Sequence, residues 1–223
     1  MIFLTGVYLV MFATAELLYN RFKVKIEITR KFSHAGGGLI AFSIPFLFED
    51  HWMVLAIVLG FTIFLLVTKK LNYLKSVHSI DRKSCGSYLY PATIYVGFLV
   101  YSAFGHYIFY FLPIAVLALS DSVAELAGKR WPYGRYLANR NSKTAMGSAA
   151  FFVISMALSM VLLQTLTQGG LQAIVVMSLI ISSTATFVEA VSYKGWDNLT
   201  IPAAIWVILA ASDVPHFAYL AQL

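Results

Sequence analysis

The sequence predicts an all-α, polytopic integral membrane protein with about eight transmembrane helices, and three observations carry that prediction. Apolar residues make up 60% of the 223-residue chain and charged residues only 12%, about half the charged share of a soluble domain; mean hydropathy is +0.77. Apolar runs of about 17–20 residues, the length that crosses the hydrocarbon core of a bilayer, recur along the chain. The 16 Lys and Arg residues fall only in alternate connections between those runs, the pattern of proteins whose basic loops stay cytoplasmic.

Taken in order, the apolar segments are Ile2–Tyr19, Ala35–Phe48, Trp52–Thr68, Tyr88–Phe104, Tyr107–Ser120, Thr144–Leu166, Leu171–Val191 and Leu199–Ser212. The first has no basic stretch before it and no small-residue cleavage site after it, which predicts a retained helix rather than a signal peptide. The second and fifth are short for full spans and contain Pro45 and Pro113. Each is therefore expected to be kinked, tilted or partly re-entrant, with its irregular backbone buried in protein or lining a cavity. No internal repeat divides the chain. The expectation is one domain, 1–223, with functional loops at 20–34, 69–87, 121–143 and 192–198.

Those loops carry Arg21, Lys23, Lys25, Arg30 and Lys31; Lys69, Lys70, Lys75, Arg82 and Lys83; Lys129, Arg130, Arg135, Arg140 and Lys143; and Lys194. The alternating loops hold no Lys or Arg, which predicts that both termini lie on the non-cytoplasmic side. The net charge of +6 then belongs to one face, where nucleotides and anionic headgroups are met, and not to a nucleic-acid partner. The single cysteine, Cys85, rules out an intramolecular disulfide and any cysteine-rich metal site.

Three polar clusters stand out on the basic face. Arg30-Lys31-Phe32-Ser33-His34 runs into Gly36-Gly37-Gly38 and a helix, whose first free N–H groups suit an anion; the same residues also suit an interfacial anchor followed by small residues for helix packing. In the second cluster, Ser120–Ser148, Asp121 and Glu125 stand four apart, so on a helix both carboxylates share a face and suit a hard cation. Its glycines (Gly128, Gly134, Gly147) allow close backbone approach, and its cations suit a polyphosphate; a solvated basic loop has the same composition. The third holds Glu189 inside an apolar run, where an ionisable residue is a functional candidate, and then Asp197-Asn198-Leu199-Thr200. Asp197 and Asn198 also suit a helix N-cap.

Together these clusters resemble the polyprenol kinase family: dolichol kinases, phytol kinases and CTP-dependent diacylglycerol kinases. Arg30-Lys31-x-x-His34 with its glycines is similar to the first family motif. Asp121-x-x-Ala124-x-x-x-Gly128, Gly134 and Lys143-Thr144-x-x-Gly147-Ser148 resemble the central motif, and Glu189-Ala190 with Asp197-Asn198-Leu199-Thr200-Ile201-Pro202 resembles the C-terminal one. The phytol kinase branch is the most similar, through the Asp-Asn-Leu-Thr run and the short chain. Ser120 stands where the family often has glycine, Thr144 where serine is usual, and Met146 where some relatives carry glutamate. The central motif also resembles that of phosphatidate cytidylyltransferases.

The resemblance implies phosphoryl transfer from a nucleoside triphosphate, CTP in this group, to the hydroxyl of a lipid alcohol such as phytol, a polyprenol or dolichol, farnesol or diacylglycerol. It implies Asp121, Lys143 and His34 as catalytic residues. Mg²⁺ (or Mn²⁺) would be held by Asp121 with Glu125 and Asp197, and phosphates by Arg30, Lys31, Gly128, Gly134, Ser142, Thr144, Gly147 and Ser148. Glu189, Asn198 and Thr200 are further candidates. His34 suits either a phosphate hydrogen bond or the acceptor's proton. Two alternatives are a phosphatidate cytidylyltransferase-like CDP-lipid synthase and a non-enzymatic transporter. The chain has no Walker-type phosphate loop and no dinucleotide fingerprint.

Overall fold

The computed structural model describes residues 2–78, 85–138 and 141–212, apart from the side chains of Ser87 and Asn141. Arg82, Lys83 and Arg140 of the basic loops, and both chain termini, lie outside the described residues. The helices are α1 (Ile2–Asn20), α2 (Ile26–Ala41), α3 (Ile44–Leu47), α4 (His51–Lys70), α5 (Lys75–His78), α6 (Gly86–Phe104), α7 (Ile108–Ala115), a π-helical turn (Val116–Ser120), α8 (Asp121–Arg130), α9 (Ala145–Leu166), α10 (Leu171–Val191) and α11 (Asp197–Ala211). The fold is all-α, 81% helical, with one small addition. Strands β1 (Arg135–Ala138) and β2 (Asn141–Thr144) form an antiparallel hairpin with Arg135 opposite Thr144.

Five described helices are long and apolar enough to cross a membrane: α1, α4, the continuous helix Ile108–Arg130, α9 and α10. The apolar stretches Tyr88–Phe104 and Asp197–Ala211 are shorter. This is a membrane protein. The second expected segment is not one continuous helix, because it divides at Phe42–Ser43 into α2 and α3. Its helix also begins at Ile26, well before the apolar run, so Arg30, Lys31 and His34 lie on α2 and not in a loop. Likewise the expected loop 121–143 is α8 followed by the hairpin, and Asp197 opens α11.

The fifth segment differs most from its expectation. Instead of a short or re-entrant piece, Ile108–Arg130 is one helix, and 72% of its apolar window is buried. A helix apolar on all sides belongs at the centre of a bundle. Tyr110, Phe111 and Ile114 pack into one core with α1–α4 and α6, while Ile108, Phe109, Leu112, Val116 and Leu117 pack into a second with α9–α11.

Proline costs a helix an N–H and strands the carbonyl four residues earlier, and in a lipid environment that carbonyl needs another donor. The bundle supplies one at Pro113 and at Pro202. For Pro113 the stranded oxygen is Phe109 O, which accepts from Trp206 Nε1–H at 2.8 Å. For Pro202 it is Asn198 O, which accepts from the Thr93 hydroxyl at 2.7 Å. At the break between α2 and α3 the last α2 carbonyl, Ala41 O, likewise accepts from the Tyr110 hydroxyl at 2.9 Å. Each donor comes from a different helix, so these bonds also lock α11 to α7, α7 to α2 and α6 to α11.

Candidate active site

The site lies where the polar stripes of α2 and α8 face each other. On α2, Glu27, Lys31 and His34 recur at three- and four-residue spacing and so share a face; on α8, Asp121, Glu125 and Lys129 do the same. Lys31 Nζ donates to Asp121 and lies 3.1 Å from Glu125 Oε2. Arg30 also pairs with Glu125, and Lys129 Nζ reaches the same carboxylate at 2.8 Å and Glu27 at 3.6 Å. His34 Nε2 is 3.7 Å from Asp121 Oδ2 and donates to Leu117 O at 3.3 Å. That carbonyl belongs to the π-helical turn, a feature that recurs at functional sites because it re-aims the residues that follow it. The turn leads directly into Asp121, the first residue of α8.

Two close approaches hold these helices together. A Cβ on Gly38 would collide with the Ala118 methyl and stand 2.7 Å from the Tyr90 hydroxyl. A Cβ on Gly128 would lie 2.6 Å from Thr144 Oγ1, and one on Gly147 3.1 Å from Ala124 O. The expected glycine-lined anion site before a helix is therefore corrected: Gly36–Gly38 lie inside α2, and Gly38 lets it press on the central helix. Gly128 and Gly147 bring α8 against α9. Gly134, at φ +62, takes the left-handed turn into β1, a conformation that favours glycine.

The hairpin delivers Lys143. It pairs with Glu189 at the end of α10, so the central and C-terminal clusters meet as the first two do. Thr144 caps α9, its hydroxyl accepting from Gly147 N–H at 3.1 Å, and Ser148 shares a 2.6 Å hydrogen bond with Tyr136. Arg30, Lys31, His34, Asp121, Glu125, Gly128, Ser142, Lys143, Thr144, Gly147, Ser148, Glu189, Asp197 and Asn198 all line one cavity of about 780 Å³. That volume is within the usual range for a small-molecule site, about 300–1,000 Å³. Gly134 and Thr200 are not on its wall; the Thr200 hydroxyl bonds Ser192 at 2.8 Å instead. Asn198 Nδ2 donates to Gly195 O at 3.0 Å and holds the turn before α11.

Charge is concentrated here against the cost of burial. Lys31 is only 4% exposed, which is tolerable because two carboxylates accept from it. Burial pulls its pKa down, but Asp121 and Glu125 outweigh that and hold it above the ordinary lysine value. Lys143 follows the same pattern, with burial opposed and outweighed by Glu189. Burial, then the neighbouring Lys31 charge, pushes His34 down to about 4, so it is neutral near pH 7. Burial and the charge of Asp121 push Asp197 up to about 6.

Sequence reasoning missed Lys129 and Tyr90. Lys129 reads as a helix-end cation, yet it is part of the Glu125 network. Tyr90 donates to His34 O at 2.7 Å and its ring lies 4.2 Å from the imidazole; nothing local in a Tyr-Pro dipeptide announces this. The apolar wall of the cavity was missed as well, since its residues come from helices far apart in the chain.

No family model and no solved structure matches the chain. Among curated proteins the chain is similar to a phytol kinase of Synechocystis sp., with 31% identity over 192 residues, covering 85% of this chain and 81% of the relative. At that identity over most of both chains, the chain belongs to the polyprenol/phytol kinase family of lipid-alcohol kinases.

Proposed function

We propose that the protein transfers the γ-phosphoryl group of CTP to the hydroxyl of a membrane lipid alcohol, with Mg²⁺ (or Mn²⁺) as cofactor and the site open to the cytoplasm. The observation that carries this reading is convergence: cations and carboxylates from all three sequence clusters line one cavity at one end of the bundle. Phosphoryl transfer asks for positioning and for positive charge around a spreading negative charge. Arg30, Lys31 and Lys143 supply that charge, each held in place by a carboxylate until a polyphosphate competes for it.

Mg²⁺ takes one or two carboxylates and completes its shell with phosphate oxygens and water. Asp121 and Glu125, neighbours on one helix face, fit that demand and would hold it. The described residues form no cage of three or more His, Cys, Asp or Glu; on this reading the metal belongs to the Asp121–Glu125 pair and proton transfer to Asp197. Bound there, the metal would offset charge on the transferring group.

In the reaction, the alcohol oxygen bonds the γ-phosphorus, the bond to the β–γ bridging oxygen breaks, and CDP leaves. The hydroxyl proton passes to a base on the cavity wall. We assign that role to Asp197, which lines the cavity without a Lys or Arg ion pair among the described residues and whose pKa of about 6 exceeds the value of about 4 for His34. His34, on α2, then bonds Leu117 O of the π-helical turn that leads into Asp121.

The test uses purified protein with CTP labelled separately at the α and γ positions, offered lipid alcohols and phosphatidic acid. Label from the γ position on an alcohol, with CDP released, is expected. Label from the α position on phosphatidic acid, with pyrophosphate released, would overturn the reading in favour of a CDP-lipid synthase.

A further inference from the structure

The cavity does not end at the ion pairs. It continues as an apolar arm between α1, α2–α3 and α4, lined by Tyr8, Met11, Ile44, Ile57, Val58 and Phe61. Aromatic pairs bridge α1 and α4 across it: Tyr8 with Phe61 at 4.5 Å and Phe12 with Phe64 at 5.9 Å. Along α4 the lining runs from Lys69 to Ile57, which at a rise of about 1.5 Å per residue is about 18 Å. That is a little over half of the roughly 30 Å hydrocarbon core. Beyond Ile57 the arm is closed. Leu4, Val54 and Phe98 are 2%, 0% and 1% exposed, belong to the same packed cluster and are not on the cavity wall.

Resting on the kinase reading, we propose that this arm is a blind pocket for the acceptor's hydrocarbon tail, and that its closed end sets the longest chain accepted. Its continuity with the charged end names the occupant, since a molecule filling both parts needs a polar head at the ion pairs and an unbranched or prenyl tail about as long as the arm. Ile57 and Val58 are the specificity-determining residues, because they line the arm at its deep end. A long polyprenol, whose chain outruns the pocket, is excluded.

Two measurements test this. The first compares kcat/KM for geraniol, farnesol, phytol and a long polyprenol in the wild type and in Val58→Phe. The added ring fills the deep half, so phytol should lose about tenfold or more relative to geraniol, with KM for CTP unchanged. An equal loss for all alcohols, or efficient use of the long polyprenol by the wild type, would overturn the proposal. The second measurement is independent of catalysis and of how well the variant folds: a phytol analogue with a diazirine at its tail end is photolysed on the wild-type protein. Label on α1 and α4 peptides near Tyr8 and Val58 is expected, and label confined to α9 and α10 would overturn the pocket. Absence of transfer to any alcohol, with α1 and α4 still labelled, would remove the kinase reading and leave the tail pocket standing.

Discussion

Asp197 and His34 face the same cavity and are perturbed in opposite directions by the same burial, because burial disfavours the charged form of each. Asp197 is raised from 3.8 to about 6. A carboxyl raised in this way favours the folded state while protonated, so its contribution to stability is full below pH 3.8 and is lost as pH rises through about 6. Its proposed use as a base runs the other way, since only the ionised form accepts a proton. The site thus becomes competent in the pH range where it gives up stability, a trade common at active sites. The expected kcat/KM profile therefore falls below pH about 6, and Asp197→Asn should lower it by about 10²–10⁴-fold and abolish that limb. His34→Asn should leave the limb in place. If the limb survives in Asp197→Asn, Asp197 is not the base.

At the scale of elements, the stranded carbonyls make the bundle's packing testable. Trp206→Phe keeps the ring but leaves Phe109 O without its side-chain donor, which should cost about 1–2 kcal/mol in a thermal or denaturant unfolding measurement. Pro113→Ala restores an N–H four residues after Phe109, so the cost of Trp206→Phe should shrink in that background. Equal costs in both backgrounds would show that the indole bond does not stand in for the missing helix bond. The same scale shows what could be read in advance. The long helices α1, α4, α9 and α10 lie within a residue or two of their apolar runs, because length and hydropathy determine them. The start of α2 was not legible, since the charged and polar residues of Ile26–His34 break its apolar run, and it packs against α1, α5 and α8. Nor was the π-helical turn, which leaves no periodic mark in Val116–Ser120. The hairpin Arg135–Thr144 lacks the apolar alternation that announces a strand; it is held by its own pairing and by the Lys143–Glu189 ion pair.

At the scale of the whole molecule, fourteen of the proposed site residues line one cavity, although Lys31 and Asp121 are 90 positions apart in the chain. The sidedness of the basic loops made that convergence legible, whereas the partners of each charge were not, because tertiary packing chooses them. The same sidedness gives the orientation proposed for the site. Cys85 lies at the charged end, its N–H bonded to Lys194 O at 2.9 Å. It should resist a membrane-impermeant maleimide in intact cells and react once the membrane is opened. Labelling of intact cells would invert the orientation. The central claim, that this charged end is the site of phosphoryl transfer, is tested most directly by turnover of Asp121→Asn. The substitution keeps size and hydrogen bonding, and Lys31 retains Glu125 as a partner at 3.1 Å, so the protein should fold. Transfer of γ-phosphate from CTP to a lipid alcohol should fall about 100- to 1000-fold, as when a preorganised electrostatic contact is removed, and raising Mg²⁺ should restore only part of it. Folded Asp121→Asn protein with near-normal turnover would contradict the account.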